Sequence, residues 1–204
     1  MNFKIGLSGT RFSGKNEVAK LFSDISIPVF DADLVIRFIL AHEYNILADI
    51  RDKVGHQYFK NGKLDANIIE NKSVFGKILK IIEPVVFDAY DKFEKKNKGS
   101  IYTIFKSSIL FERNWDKKMD YNICVYSPFI HRVERAKKVK EKGLENLTSI
   151  NIILSKETDE LSKNSLADHV IHNYNEFNIK NQVDKIDQKI IDLYLKKEYN
   201  KELP

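Results

Sequence analysis

Gly6–Phe22 reads GLSGTRFSGKNEVAKLF, and the seven residues Gly9, Thr10, Arg11, Phe12, Ser13, Gly14 and Lys15 within it follow the spacing glycine, four residues, glycine, lysine. Each part of that spacing has a physical reason. The glycines permit backbone angles that turn successive N–H groups inward to form an anion nest. The helix that follows points its positive end at the same place, and the lysine supplies a mobile cation to the outer phosphates of a nucleotide. Asn16 stands at the next position, where this motif usually carries a serine or threonine hydroxyl for Mg²⁺.

By chance the shortened pattern arises in about one chain in twenty of this length, so its surroundings decide. Phe3–Leu7 is a short apolar run of strand character, and Val18, Ala19, Leu21 and Phe22 fall on one side of a helix beginning at Lys15. Strand, loop and helix in that order are the setting a phosphate loop requires.

Further along, Pro28–Phe30, Ile101–Phe105, Tyr121–Tyr126 and Asp168–His172 are short apolar runs bounded by charged or turn residues, which predicts four more strands. Residues 34–98 and 131–160 carry helical patterns, and Ile179–Leu195 predicts a closing helix. Alternating strands and helices imply an α/β fold with a five-stranded, mainly parallel sheet covered by helices on both faces. Ligands of such sheets bind at the carboxyl ends of the strands.

The chain has 204 residues, 43% of them apolar, enough for a full core in one cooperative unit. No apolar run approaches the length of a membrane span, and Met1–Lys4 leads straight into the first strand, so the expected location is the cytoplasm with no membrane partner. A net charge of +5 favours polyanionic ligands. Lys137, Lys138, Lys140 and Lys142, and Lys95, Lys96 and Lys98, read as solvated faces. Lysines and aromatics do not interleave as a stacking platform would require, so nucleic acid is not the expected partner. The single cysteine, Cys124, lies in an apolar run and reads as a packing residue, as does Trp115. The five histidines show no spacing of metal ligands with it.

Asp31 and Asp33 close the second predicted strand, where a period of two puts both on one side. Three roles suit them from the residues alone: one orients an attacking hydroxyl, one supports a metal from its second shell, or Asp31 caps the helix after it. With these residues on the page the sequence resembles the dephospho-coenzyme A kinase family. GLSGTRFSGKNEVAKLF and then SIPVFDADLVIR (residues 26–37) follow the family's opening at the same spacing. Ser108–Glu112 with Trp115 and Asp116, and Ala167, Asp168, Val170, Ile171 and Asn173, are similar to two later family segments.

The resemblance implies a P-loop kinase of nucleoside monophosphate kinase type. Its parts would be a core (about 1–33, 99–130 and 167–204), a helical acceptor-binding insert (about 34–98) and a lid (about 131–166). It implies transfer of the γ-phosphoryl group of ATP, with Mg²⁺, to the ribose 3′-hydroxyl of dephospho-coenzyme A, by a monomer with higher oligomers left open. Carried over residue by residue, Asp33 is the general base and Lys15 with the loop from Gly9 to Asn16 holds the phosphates. Asp33 and Arg37 meet the acceptor, Arg135 is a lid arginine, Asn173 lies by the adenine, and Asn16 and Asp31 are the metal-side residues.

The departures fall at functional positions. Asn16 replaces a hydroxyl, and Thr10 and Phe12 replace loop glycines. Glu83, Ala66 and Glu157 stand where histidine, arginine and glutamine are usual, and Val139 stands where a second lid arginine is expected. A nucleoside or deoxynucleoside monophosphate kinase, a P-loop protein with weak or lost activity, and a basic nucleic-acid-binding module are the alternatives.

Overall fold

In a computed structural model, which describes residues 2–60, 63–65, 68, 71–141, 160–175 and 177–201, the first strand β1 runs from Phe3 to Gly9. Phe3, Ile5 and Leu7 are buried, and so are the intervening Gly6 and Ser8, so β1 is covered on both faces. That is the pattern of a central parallel strand. Helix α1, Lys15–Asp24, buries Val18, Ala19 and Phe22 into the same core cluster as β1. Burying Val18 and Phe22 stabilises the fold by roughly 1.5–3 kcal/mol each.

The remaining strands of the sheet are β2 (Val29–Asp31), β5 (Tyr102–Lys106), β6 (Tyr121–Tyr126) and β7 (His169–His172), in the spatial order β2-β5-β1-β6-β7. The pairs β1–β5, β1–β6 and β6–β7 are parallel. Beside β5, the edge is joined where Ile104 N–H donates to Pro28 C=O at 2.9 Å. The expected five-stranded sheet is therefore present, with β1 in the middle. From β1 the chain goes out to β2, returns to β5 next to β1, and crosses to β6 on the other side. This reversal puts the loop after β1 at the switch point, where open α/β sheets form their ligand crevice.

The chain forms two compact units, Met1–Phe30 with Asn97–Pro204, and Asp31–Lys96. In the first, helix α5 (Phe129–Glu141), a short helix Glu160–Leu166 and the closing helix Ile179–Lys201 accompany the sheet. Tyr102 O–H donates to Asp187 on the closing helix, and burial, reinforced by this carboxylate, pushes the phenol's pKa up. Cys124 and Trp115 are buried, as packing residues should be. Buried Lys163 pairs with Glu112 at 2.8 Å and donates to Ser108 C=O at 3.1 Å, fastening the short helix to the segment after β5.

The second unit contains helices α2 (Ala32–His42), α3 (Tyr44–Val54) and α4 (Lys72–Lys96). On α4, Ile78, Ile82, Val86 and Tyr90 form a buried stripe at intervals of four, and the helix packs against α2 and α3. A small antiparallel pair, β3 (Phe59–Lys60) and β4 (Lys63–Leu64), interrupts the helical pattern. Strands of two residues leave no periodicity to read. The strand reading of Asp33 is corrected here: β2 stops at Asp31, and Asp33 lies in the first turn of α2. Asp31 Oδ1 accepts from Leu34 N–H at 3.0 Å, so Asp31 is the N-cap that starts the helix.

Candidate functional site

Gly9 ends β1 against Val125 of β6, where a Cβ would sit 2.7 Å from the Val125 carbonyl oxygen, so only glycine lets the chain turn there. The loop closes on itself through Ser13 N–H to Thr10 C=O at 3.1 Å. Gly14 has φ 97°, and a Cβ would fall 2.0 Å from Asn173 Nδ2. Conformation and space both demand glycine at this position. Intrahelical bonding in α1 begins with Glu17 and Val18 N–H onto Gly14 C=O, and no side chain caps the helix. The first-turn amides thus lack intrahelical acceptors and, with the helix dipole, favour an anion in front of the loop.

Phe12 has φ 63°, a left-handed conformation costing a non-glycine residue about 1–2 kcal/mol. Two groups from α5 and its surroundings hold it there. Its ring packs with Val133 and the buried Ala136, and its carbonyl accepts from Arg135 Nη1 at 3.0 Å. Arg135 Nη1 also donates to Ser13 C=O at 3.0 Å and Ser127 Oγ at 3.1 Å, and Nη2 donates to Asn173 C=O at 2.7 Å. Arg132, one turn earlier, donates to Arg11 C=O at 3.4 Å.

Asn173 follows β7, and its side-chain N–H donates to Ser13 C=O at 3.0 Å while its own N–H donates to Tyr126 C=O at 2.8 Å. The two loop carbonyls of Phe12 and Ser13 are consequently turned away from the anion side and satisfied by protein donors. That arrangement leaves amides, not carbonyls, for a phosphate.

Lys15 is buried, and Lys106 at the end of β5 donates from Nζ to Asn16 Oδ1 at 2.7 Å. Magnesium demands a compact oxygen ligand in near-ideal octahedral geometry. An amide oxygen already accepting from an ammonium does not suit it. Among the described residues no group of three or more His, Cys, Asp or Glu side chains could hold a metal ion. Of the two residues expected on the metal side, Asn16 Oδ1 accepts from Lys106 and Asp31 Oδ1 caps the helix that follows it.

The sequence model of the dephospho-CoA kinase family matches residues 3–178. The chain belongs to that family. A dephospho-CoA kinase of Gamma-proteobacterium EBAC31A08 is 30% identical over 196 residues, which cover 93% of this chain and 98% of that one. The dephospho-CoA kinase of Zymomonas mobilis is 27% identical over 175 residues, covering 83% and 86%. The crystal structure of TT1252 from Thermus thermophilus superposes with a TM-score of 0.76 at 19% identity, over 92% of this chain and 97% of that one, so the two share a fold.

Within this dephospho-CoA kinase family member, the first unit brings together Gly9 to Asn16, Arg135 and Asn173. Asp31, Asp33 and Arg37 belong to the second unit, where Arg37 Nε donates to Asp33 C=O at 3.3 Å across one turn of α2. Ala66, Lys142 and Glu157 lie outside the described residues, as do residues 142–159 of the lid expectation. Three participants escaped the sequence reading. Lys106 was legible as a lysine closing an otherwise apolar strand, and Arg132 as a partner of Arg135 at helical spacing. Ser127 gave no signal.

Proposed function

We propose that this chain transfers the γ-phosphoryl group of ATP to the ribose 3′-hydroxyl of dephospho-coenzyme A, the last step in making coenzyme A. The observation that carries this reading is the family match across residues 3–178 in a chain whose glycine loop turns its amides outward at the switch point of the sheet. In the reaction the 3′-oxygen attacks the γ-phosphorus, the bond from that phosphorus to the β–γ bridging oxygen breaks, and ADP leaves. Asp33 takes the hydroxyl proton as general base. Lys15 and the amides from Gly9 to Asn16 hold the phosphates and meet the charge that develops on their oxygens.

Arg37 meets the acceptor, and residues 34–98 form the acceptor-binding insert. Residues 131–166 act as a lid that excludes water, with 1–33, 99–130 and 167–204 as the core. Arg135 and Asn173 serve by fixing the loop. ATP reaches the protein as its Mg²⁺ complex. The substrates are small molecules, and the setting proposed is a cytoplasmic monomer.

The test is an acceptor panel: purified protein, ATP, and in turn dephospho-coenzyme A, AMP, CMP and dTMP, read by ADP release. Release with dephospho-coenzyme A alone is expected. Release with a nucleoside monophosphate instead would move the acceptor, and none above the acceptor-free background would remove the kinase reading.

A further inference from the structure

Strand β7 closes the sheet order, with β6 on one side and, among the described residues, no strand on the other. Along a parallel strand alternate residues turn their N–H and C=O toward the partner, and the residues between turn theirs away. Asn173, just past β7, faces β6, where its N–H donates to Tyr126 C=O at 2.8 Å. His172 therefore faces the open edge, where both of its backbone groups need partners. One side chain supplies them. Gln182 Oε1 accepts from His172 N–H at 2.9 Å, and Gln182 Nε2 donates to His172 C=O at 2.8 Å. A primary amide offers a donor and an acceptor side by side, so it stands in for the peptide of a neighbouring strand. The same Nε2 donates to Asn178 C=O at 3.3 Å, just before the closing helix. That helix is fixed to the sheet, since Val183, Ile186 and Ile190 are buried in the core cluster with Ile123 and Val125 of β6.

We propose that Gln182 is a positioning residue for nucleotide binding: it fixes the peptide that carries Asn173, and through Asn173 it sets the aim of the phosphate loop. This rests on the loop being a nucleotide site, as proposed above. The peptide joining His172 to Asn173 is pinned at both ends, its C=O by Gln182 and its N–H by the Tyr126 carbonyl. Asn173 in turn donates from Nδ2 to Ser13 C=O at 3.0 Å. Ser13 C=O and Gly14 N–H belong to one planar trans peptide and point in opposite directions, so the pull on the carbonyl aims the amide. Contact tightens the link as well, because Asn173 Nδ2 occupies the space a Cβ on Gly14 would take. A site of this kind tolerates only about 0.5 Å of misplacement, and a residue that steadies Asn173 therefore steadies the anion nest. Gln182 touches neither the loop nor the ligand, and its effect is felt at ATP.

The experiment is calorimetric titration of ATP, with magnesium chloride, into the whole protein and into Gln182→Met, Asn173→Ala and the double variant. Methionine keeps the length and helix preference of glutamine and removes both bonds to His172. Gln182→Met should weaken ATP binding by about fivefold, the scale of a lost hydrogen bond. In the Asn173→Ala background the same change should alter ATP affinity by less than about 1.5-fold, because the route runs through Asn173. Should Gln182→Met lose its fold by circular dichroism, Gln182→Glu takes its place. It keeps an acceptor for His172 N–H, loses the donor to His172 C=O, and should weaken ATP binding by about threefold or more. An ATP affinity that stays at the wild-type value while the denaturation midpoint falls would make Gln182 a prop for β7 alone and overturn the inference. A loss of equal size with and without the Asn173 side chain would overturn it too, and both results leave the nucleotide site standing. No ATP binding by the wild-type protein removes that site, and this inference with it.

Discussion

Arg135 and Asn173 meet the phosphate loop through its carbonyl groups, whereas Lys106 meets it through the side chain of Asn16 at the start of α1. The first side is a clamp: a guanidinium and an amide hold Phe12 and Ser13 in a conformation that Phe12 resists. The second side carries two buried lysines, Lys15 and Lys106. The difference teaches how one short loop separates shape from charge. Donors behind it fix the direction of its carbonyls, which leaves its amides for phosphate. Substitutions on the clamp side should therefore cost stability together with activity, and those on the cation side should cost activity alone.

The largest effect is expected on the cation side. Lys15→Met should lower kcat/KM for ATP by about a hundredfold or more, because it removes the charge that meets the outer phosphates. Its melting temperature should stay close to wild type, and a collapse in thermal stability would erase the distinction between the two sides. On the clamp side, Arg135→Met removes donors from three carbonyls and a hydroxyl. Denaturant unfolding should show a loss of about 3 kcal/mol, with kcat falling in parallel. Arg135→Lys should recover only part of either, since an ammonium lacks the planar fork that reaches Phe12, Ser13 and Asn173 at once.

Asn173→Ala sharpens the same comparison at a smaller scale. It removes one of the two donors to the Ser13 carbonyl and opens space at Gly14, so stability should drop by about 1 kcal/mol and KM for ATP should rise more than kcat falls.

The smallest effect concerns β7, the strand that delivers Asn173. Burial, together with the charges of Lys189 and His172, lowers the pKa of His169 from the ordinary histidine value. A lowered value means that the folded chain favours the neutral ring. Stability from this group is complete above about pH 6.5 and is lost as the pH falls below it, where the unfolded chain takes up the proton more readily. Melting curves should show His169→Gln losing less stability than wild type on acidification across that window. Parallel curves for the two proteins would exclude His169 as the cause.

The loop and the sheet were legible because their signals are local and strong. Two glycines and a lysine at fixed spacing, between an apolar run and a helical pattern, admit few other structures, and Phe3–Gly9 then has to be a central strand. Asp33 was misplaced by a competition between two local readings. Asp-Ala-Asp after an apolar run continues a strand by alternation, but Asp31 also caps a helix, and the helix won because Ile36 and Ile39 give it a buried face. Arg135 was found by its place in the chain, yet its partners were not, since Phe12 and Ser13 lie more than 120 residues away in sequence. Lys106 looked like the polar end of a strand. Only the register of β5 beside β1 turns it into a neighbour of Asn16.

Following the labelled γ-phosphoryl group through a single turnover bears on the account most directly. Purified protein is mixed with dephospho-coenzyme A and γ-labelled ATP, and the products are separated and fragmented in a mass spectrometer. The account predicts the label on the ribose 3′-oxygen of newly formed coenzyme A. Label found only in inorganic phosphate, or left entirely in ATP, would contradict it.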